Sequence, residues 1–460
     1  MKEQLTMDKL ATHCKRTGFV FQGSEIYGGM GNTWDYGPLG IELKRNIKKY
    51  WWQKTVQESE NSFGIDTSIL MNPTVWKASG HVDSFSDPLM DCKECKTRHR
   101  ADKLIEEYAH KKGIEVNADA MSKEELFSYI MEHGIKCPNC GKQNFTEIRN
   151  FNLMFETSRG TTEANQNKIF LRPETAQGEY VNFLNVQRTT RAKLPFGIAN
   201  IGKAFRNEIT PGNFTFRTLE FEQMEHQLFC RDSEAMGYYE FYKKFAMDFF
   251  IFLGIKPENL RFKDHDKLAH YAKCACDVQY KFPHGFDEIS GTHHRGTWDL
   301  SRHQEFSGKP MTYTDPFTNE TFVPTVVEHT IGCDRFALAV LCEAYDEEEL
   351  ENGETRIVMH FSPKLAPYKV AILPLQKQQS EKAKEVKKML AKNFMVSYDE
   401  SGSIGKRYRR QDEIGTPYCV TVDFDTLEDD TVTIRNRDTM KQDRIKISEI
   451  KAYLDEKLDL

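Results

Sequence analysis

Two runs of residues carry the densest chemistry in the chain: Phe205-Arg206-Asn207-Glu208 and, after eight intervening residues, Arg217-Thr218-Leu219-Glu220-Phe221-Glu222-Gln223-Met224-Glu225. Read as strands, they place Arg206 and Glu208 on one face, and Arg217, Phe221, Gln223 and Glu225 on one face, because alternate residues of a strand point the same way. Two guanidiniums, acidic and amide groups and an aromatic ring on one sheet suit a nucleotide: arginine forks grip phosphate and the ring stacks on a base. A solvated sheet face with cross-strand ion pairs would carry the same residues, so the rest of the chain has to decide. A second constellation is Cys92-x2-Cys95 with Cys137-x2-Cys140. Four thiolates at that spacing form the tetrahedral soft site that Zn2+ prefers, and they leave no open position, so such a site is structural.

The elements that must position these groups are legible in outline. A helical pattern runs from Leu39 to Gln57, followed by a β-branched run, Ile65 to Met71, stopped by Pro73. From about Asp91 to Asn150 the composition turns charged, with a CxxC pair at each end and a helix-prone middle, which reads as an inserted module. From Phe151 to Phe361 strands are predicted over Ile198 to Glu208 and Phe216 to Phe229, and helices over Tyr238 to Leu253 and Arg335 to Tyr345. Strands joined by a short polar loop predict an antiparallel sheet. Beyond Pro363 and Pro367, strands at Val370 to Leu373, Val420 to Val422 and Thr431 to Ile434, with a helix over Ser380 to Lys392, predict a separate α/β domain. The expected division is therefore 1–90 and 151–365 for one core, 91–150 for the insertion and 366–460 for the C-terminal domain.

With 460 residues, 63 Lys and Arg against 69 Asp and Glu, and a net charge of −6, the chain reads as a globular multidomain protein. That charge argues against a protein that coats nucleic acid non-specifically, and it leaves room for a local basic surface. No apolar stretch approaches the roughly 20 residues of a membrane span. The first ten residues resemble neither a secretory nor a transit peptide, which makes the cytoplasm the expected location. Eleven cysteines, an odd number, point to metal ligation rather than a disulfide framework. Neither a GxxxxGK[ST] loop nor a GxGxxG turn after a strand is present. Met121-Ser122-Lys123 is similar to the lysine loop of class I synthetases, but it sits in the charged insertion without a HIGH partner motif and is set aside.

The two runs resemble the FRxE and (R/H)xxxFxxxE halves of motif 2 in class II aminoacyl-tRNA synthetases. The resemblance implies that Arg206 contacts the ATP α-phosphate and the amino-acid carboxylate, Glu208 the adenine amino group and Arg217 the distal phosphates, while Phe221 stacks on adenine. Asn207, Phe216, Thr218, Leu219 and Glu220 belong to the same implied ATP site. Gly332-Cys333-Asp334-Arg335-Phe336 resembles motif 3, a strand running through glycine into a helix, and implies that Arg335 faces the γ-phosphate. Glu288 and Ile289, within Asp287-Glu288-Ile289, match the family pair that lies near ATP. Leu39 to Gln57 with Pro73 is compatible with motif 1, which implies a homodimer. The implied catalytic groups are Arg206 and Arg335, with Mg2+ accompanying ATP.

Leu171 to Gly178, Phe221 to Glu225 and Val327 to Gly332 resemble the homodimeric glycyl-tRNA synthetases, and the likeness runs from about Gly18 to the C-terminus. It implies an α+β fold: a class II antiparallel-sheet core, a zinc-ribbon-like insertion and a C-terminal α/β anticodon-binding domain. It also implies a glycine–tRNA ligase whose partners are ATP, glycine and tRNA(Gly), with neither membrane nor DNA among them. Glycine offers only an ammonium and a carboxylate to grip, so a surplus of carboxylates is expected around the ammonium. Glu174, Glu225 and Glu328 are the candidates, with Arg100 and Arg206 for the carboxylate; Phe221, Glu222, Gln223, Met224, His329, Thr330, Ile331 and Gly332 complete the implied glycine site. No natural amino acid is smaller, so steric exclusion suffices for selectivity. Where many relatives read EPSxG, this chain has Thr330, which keeps the hydroxyl and adds a methyl that crowds Cα. His293 and His294 invite a metal reading, but neighbours on a strand face opposite ways, so they read as sheet residues. In the last domain Lys406-Arg407-Tyr408-Arg409, within a basic stretch that resembles class IIa anticodon-binding domains, are the candidates for unstacked RNA bases. The rival readings are a class IIa synthetase for another amino acid, such as serine, threonine or proline, and a binding-only paralogue. The match around Glu174 opposes the first, and the intact nucleotide set, Arg206, Glu208, Phe221 and Arg335, opposes the second.

Overall fold

In the computed structural model the described residues are all except 1–4, 119–120, 161–166, 209–211, 266–267, 269–271, 351–352 and 459–460. The chain folds as mixed α and β around a seven-stranded sheet. Its spatial order is Leu260–Asp264, Cys274–Phe282, Gly285–Gly296, Thr325–Gly332, Glu220–Cys230, Phe196–Phe205 and Ser62–Ile65. All neighbours are antiparallel except Ser62–Ile65, which runs parallel to Phe196–Phe205. Helices Pro38–Trp52, Asp232–Phe252 and Cys333–Ala344 cover one face, where Leu43, Ile47, Trp51, Phe250, Phe336, Met224 and Ile331 form the main core. On the other face Tyr180, Phe183, Phe196, Phe229, Leu300 and Val326 pack at one end only, which leaves the rest of that face for polar groups.

Three expectations change in detail. The strand after the first helix is Ser62–Ile65, and Ile65 to Met71 does not continue it. The backbone there is spent on side chains instead: Thr67 O accepts from Arg172 at 2.8 Å, and Thr67 Oγ1 accepts from Asn200 at 2.8 Å. Pro73 opens a helix, Pro73–Ala78, whose Thr74 N–H is capped by the Asn72 side chain at 2.9 Å. The paired strands are also shorter than predicted, ending at Phe205 and beginning at Glu220. Arg206, Asn207, Glu208 and Arg217 therefore lie on the connection, not in the ladder.

The insertion departs on strand Ser86–Asp91 and returns on Arg149–Asn152, which pair with each other, and it carries helices Ala101–Lys112 and Lys123–Glu132. The last part of the chain builds a five-stranded sheet in the order Val396–Tyr398, Val370–Pro374, Tyr418–Val422, Thr431–Asn436 and Gln442–Lys446. Val370, Ile372, Val420, Val432, Val386 and Leu454 fill its own core. No described helix is long and apolar enough to cross a membrane.

Candidate active site

Strand register assembles the polar face. Gln223, Glu225 and Gln227 lie opposite Gly332, Thr330 and Glu328, and opposite Gly202, Asn200 and Ile198 on the other side. At one end of these rows opens a cleft lined among others by Arg206, Glu208, Arg217, Phe221, Glu288 and Arg335. Phe216, Thr218, Glu222, Gln223, Ile289, Thr330, Gly332 and Asp334 also line it. The connecting segment, although not strand, still brings both predicted arginines to one place.

Each cation in the cleft is held by a different device. Arg206 donates to Pro173 O at 3.1 Å, and its guanidinium lies 5.3 Å from the Phe221 ring centre. Arg217 approaches Glu208 to 3.6 Å. Arg335, in the first turn of Cys333–Ala344, pairs with Glu288 at 3.0 Å, donates to Phe216 O at 3.2 Å and lies over the Phe216 ring at 4.4 Å. Burial pushes Glu288 up, but Arg335 and Arg206 outweigh it and hold the carboxyl below its ordinary range. Behind the cleft, buried Lys44 bridges Glu222 at 2.7 Å and Asp334 at 2.6 Å, and Asp334 accepts the Glu222 backbone N–H at 2.6 Å.

Deeper on the same face three carboxylates converge. Glu328 accepts from Gln227 at 2.8 Å and pairs with Arg295 at 3.2 Å, while Arg295 forks onto Asp299 at 2.7 and 2.9 Å. Glu174 accepts from Gln177 at 2.8 Å and faces His81 at 3.4 Å. Glu225 accepts from Thr175 Oγ1, and from Gln223 at 3.4 Å. Burial raises all three, with opposite outcomes. Arg295 and His293 overcome it for Glu328, which falls to about 2, and His81 and Arg295 overcome it for Glu174, which is held well below the carboxylate range. Glu225 is raised from 4.5 to about 8 by burial and by the neighbouring Glu328 and Glu174 charges. The Glu179 carboxyl is fully buried without a hydrogen-bond partner, and burial together with the Glu225 charge pushes it well above the carboxylate range. The site is an unbalanced acidic pocket beside a cationic cleft.

Comparison with known proteins fits this arrangement. Residues 87–129 match the family model described as glycyl-tRNA synthetase insertion domain 1, and residues 369–457 match the anticodon binding domain. The chain is 59% identical over 461 residues to the glycine–tRNA ligase of Clostridium kluyveri, covering 100% of both chains. It is 58% identical to that of Clostridium acetobutylicum, again over 100% of both, and 56% identical to that of Geobacillus kaustophilus over 99% of both. The chain belongs to the glycine–tRNA ligase family.

Set against the residues this family membership implies, strand alternation divides the glycine-site candidates. Glu225, Glu328, Gln223 and Thr330 face the pocket. Met224 and Ile331 point into the helix-covered core, and His329 packs against Phe245 at 5.4 Å on that side. The Glu222 carboxylate turns to Lys44 and Lys48. Met224, Ile331 and His329 do not reach a ligand on the polar face through their side chains, whereas Glu222 still lines the cleft. The Arg100 guanidinium pairs with Asp87, at 3.0 Å, and with Asp102. Among the ATP-site candidates, Cys333 is core, Glu220 pairs outward with Lys203 at 3.2 Å, and neither Asn207 nor Leu219 lines the cleft. Sequence reasoning gave no role to Tyr180, Gln227, Arg295 or Asp299, which orient Glu328. Gln227 and Arg295 come from the strands on either side of Glu328 and Tyr180 and Asp299 from helices, so the signal needs the tertiary arrangement to be seen.

In the insertion the four cysteine sulfurs converge, with Cys92 and Cys140 Sγ at 3.5 Å and Cys95 and Cys137 Sγ at 3.6 Å. Each pair sits on a tight turn closed by a backbone bond, Lys96 N to Cys92 O at 2.9 Å and Gly141 N to Cys137 O at 2.8 Å. Lys96 and Gly141 take the left-handed conformation that these turns need, at φ 61° and 72°. In the C-terminal domain the basic run forms helix Ile404–Glu413, which gives the four candidates different exposures. Arg407 is buried, donating to Gly402 O at 2.7 Å and to Pro374 O; Tyr408 reaches Thr421 at 2.5 Å; Arg409 faces Glu354 at 3.6 Å. Of the four, only Lys406 is exposed.

Proposed function

We propose that the protein activates glycine with ATP to glycyl-adenylate, releasing pyrophosphate, and transfers the glycyl group to the 3′ end of tRNA(Gly). The observation that carries this reading is the junction at Arg206, which joins the cationic cleft to the three-carboxylate pocket. Arg206 leans on Phe221 in the cleft while its backbone anchor, Pro173 O, immediately precedes Glu174. A substrate with an ammonium in the pocket and a carboxylate at Arg206 meets a triphosphate in the cleft at the bond to be formed. Orientation and charge stabilisation then supply the rate, with no protein nucleophile required. Glu174, Glu225 and Glu328 take the ammonium, Arg206 bridges the glycine carboxylate and the α-phosphate, Phe221 stacks on the base, and Arg217 and Arg335 neutralise the outer phosphates. Thr330, between Glu225 and Gly291 in the register, fills the space that a larger side chain would need.

Aminoacyl-tRNA synthetases generally use Mg2+ with ATP. Glu288 is the cleft carboxylate suited to it, since this hard ion takes one or two carboxylates together with substrate phosphates. The ion supplies neutralisation of phosphate charge. The sulfur cluster fits Zn2+: a Zn–S bond near 2.3 Å places tetrahedral sulfurs about 3.8 Å apart, close to the separations seen. Four sulfurs exclude substrate, so its role is to hold the insertion together. The core is read as class II, divided as 1–90 with 151–365, with insertion 91–150 and anticodon-binding domain 366–460. The working form is a cytoplasmic homodimer. Exposed Ile41 on the first long helix and Phe241 and Phe252 on Asp232–Phe252 support a partner surface there.

The decisive test is ATP–pyrophosphate exchange with each of the twenty amino acids, with Mg2+ and without tRNA. Exchange with glycine alone supports the assignment. Exchange with a different amino acid overturns the pocket, and none with or without tRNA overturns the activity.

A further inference from the structure

Outboard of the carboxylate pocket, the polar face carries a second group of metal-ligating side chains. The register places Asp277, Gly291 and Thr330 in one cross-strand row and Ala275, His293 and Glu328 in the next. His265 follows the edge strand Leu260–Asp264 and is tied down by its own N–H to Ala275 O at 3.0 Å. Its Nε2 lies 2.9 Å from Asp277 Oδ2, and its ring meets that of His293 edge-on with centres 5.9 Å apart. One ligand atom from each of His265, Asp277 and His293 falls within 4.8 Å of the other two. The strand-alternation argument against His293 and His294 holds for that pair; the partners of His293 come from the neighbouring strands.

Two details prepare His293 for a cation. Its Nδ1 lies 2.9 Å from Glu328 Oε1, without hydrogen-bond geometry as oriented, so a small ring rotation would commit that nitrogen to the carboxylate and leave the opposite one for a ligand bond. A histidine that binds metal through one nitrogen and a carboxylate through the other is the common supporting arrangement at such sites. The floor of the cluster is Gly291, where a Cβ would stand 2.8 Å from His293 Cε1, 3.5 Å from its Nε2 and 3.6 Å from Asp277 Oδ1. Glycine there leaves the space between imidazole and carboxylate open. Tetrahedral nitrogen and oxygen ligands about 2.0 to 2.1 Å from an ion stand roughly 3.4 Å apart, within reach of small side-chain rotations from the spacing seen.

We propose that His265, Asp277 and His293 bind one first-row divalent cation of the zinc class through two imidazole nitrogens and a carboxylate oxygen, with a fourth position left to water. The ion fixes His293, and His293 fixes Glu328 for the ammonium. These are positioning residues. The cation site does not rest on the glycine reading, whereas its effect on Glu328 does.

The test strips the full-length protein with a chelator and titrates it with Co2+ as a spectroscopic substitute for zinc. About two equivalents are expected: one with the intense thiolate-to-metal absorption of the cysteine cluster, and one with only weak ligand-field bands. His265→Ala and His293→Gln should each abolish the second equivalent. The thiolate band should persist in both, reporting that the chain is still folded. With the cysteine site filled, loading the second site should lower the glycine KM by about tenfold or more in wild type and leave it unchanged in His265→Ala. A single equivalent in wild type, or a second one that survives both substitutions together, overturns the site. A second equivalent with no effect on the glycine KM overturns the link to Glu328, and absence of exchange with any amino acid instead indicts the activity.

Discussion

Glu225→Gln should make the protein more stable at alkaline pH and a poorer enzyme, and the size of the gain follows from burial. Glu225 is 3% exposed and sits between Glu328 and Glu174, which with burial raise it from 4.5 to about 8. Between those values the unfolded chain has released the proton and the folded chain still holds it, so stability falls as pH rises. Protonated Glu225 stabilises fully below pH 4.5, and the contribution is lost on the way to about pH 8. At about 1.4 kcal/mol per pH unit, that interval sets a ceiling of about 5 kcal/mol, which the three coupled carboxylates share. The glutamine keeps the shape and removes the titration. In urea unfolding at pH 5, 7 and 9, the variant's advantage should grow from near zero to a few kcal/mol and level off above pH 8. Tryptophan fluorescence is the readout, because all five tryptophans, Trp34, Trp51, Trp52, Trp76 and Trp298, lie outside the insertion and the C-terminal domain. Glycine, whose ammonium supplies the missing countercharge, should stabilise wild type more than the variant at pH 9, and the variant's glycine KM should rise. An advantage that is the same at all three pH values would refute the raised carboxyl and the reasoning built on it.

Arg206→Ala should slow ATP–pyrophosphate exchange by at least about 10²-fold with the circular dichroism spectrum unchanged; near-normal exchange removes Arg206 from the reaction. Glu328→Ala should raise the glycine KM far more than the ATP KM, and equal effects on both would count against an ammonium contact. Lys44→Ala leaves Glu222 and Asp334 without their buried partner and should cost about 3–5 kcal/mol in chemical unfolding, whereas a loss below 1 kcal/mol would mean that the two carboxylates find other cations. Cys137→Ser should abolish the thiolate–metal absorption and speed hydrogen exchange across the insertion, where metal binding supplies on the order of 10 kcal/mol. Unchanged exchange would show that the sulfurs hold no ion.

The sequence was most readable where chemistry and spacing coincide. Arg206, Arg217, Phe221 and Arg335 meet in one cleft, as their motifs imply, even though the strand ends were misplaced; a connection closed by backbone bonds delivers side chains as well as a ladder does. Contiguous stretches misled wherever alternation was left unapplied. Phe221 to Glu225 and Glu328 to Gly332 read as single binding segments, yet alternate side chains turn to the other face, where Met224 and Ile331 join the core and Glu222 meets Lys44 and Lys48. Arg407, Tyr408 and Arg409 looked available because they are basic or aromatic, but a ten-residue helix docked on two surfaces turns consecutive residues in different directions. Arg295 and Asp299, four apart in sequence, carry no local sign of a role, since the group that Arg295 holds, Glu328, lies on a different strand. Pairings of that kind belong to register, which composition and local pattern do not encode.

The insertion's two connections, with Ser86 opposite Asn152 and Leu89 opposite Arg149, share a single doorway. Because entry and exit are already neighbours, the length of chain between them is nearly free for the sheet to carry: each doubling adds only about 0.6 kcal/mol of closure entropy. Lineages can lengthen, trim or replace what hangs from this seam without retuning the cleft, and an engineer can graft a reporter there on the same terms.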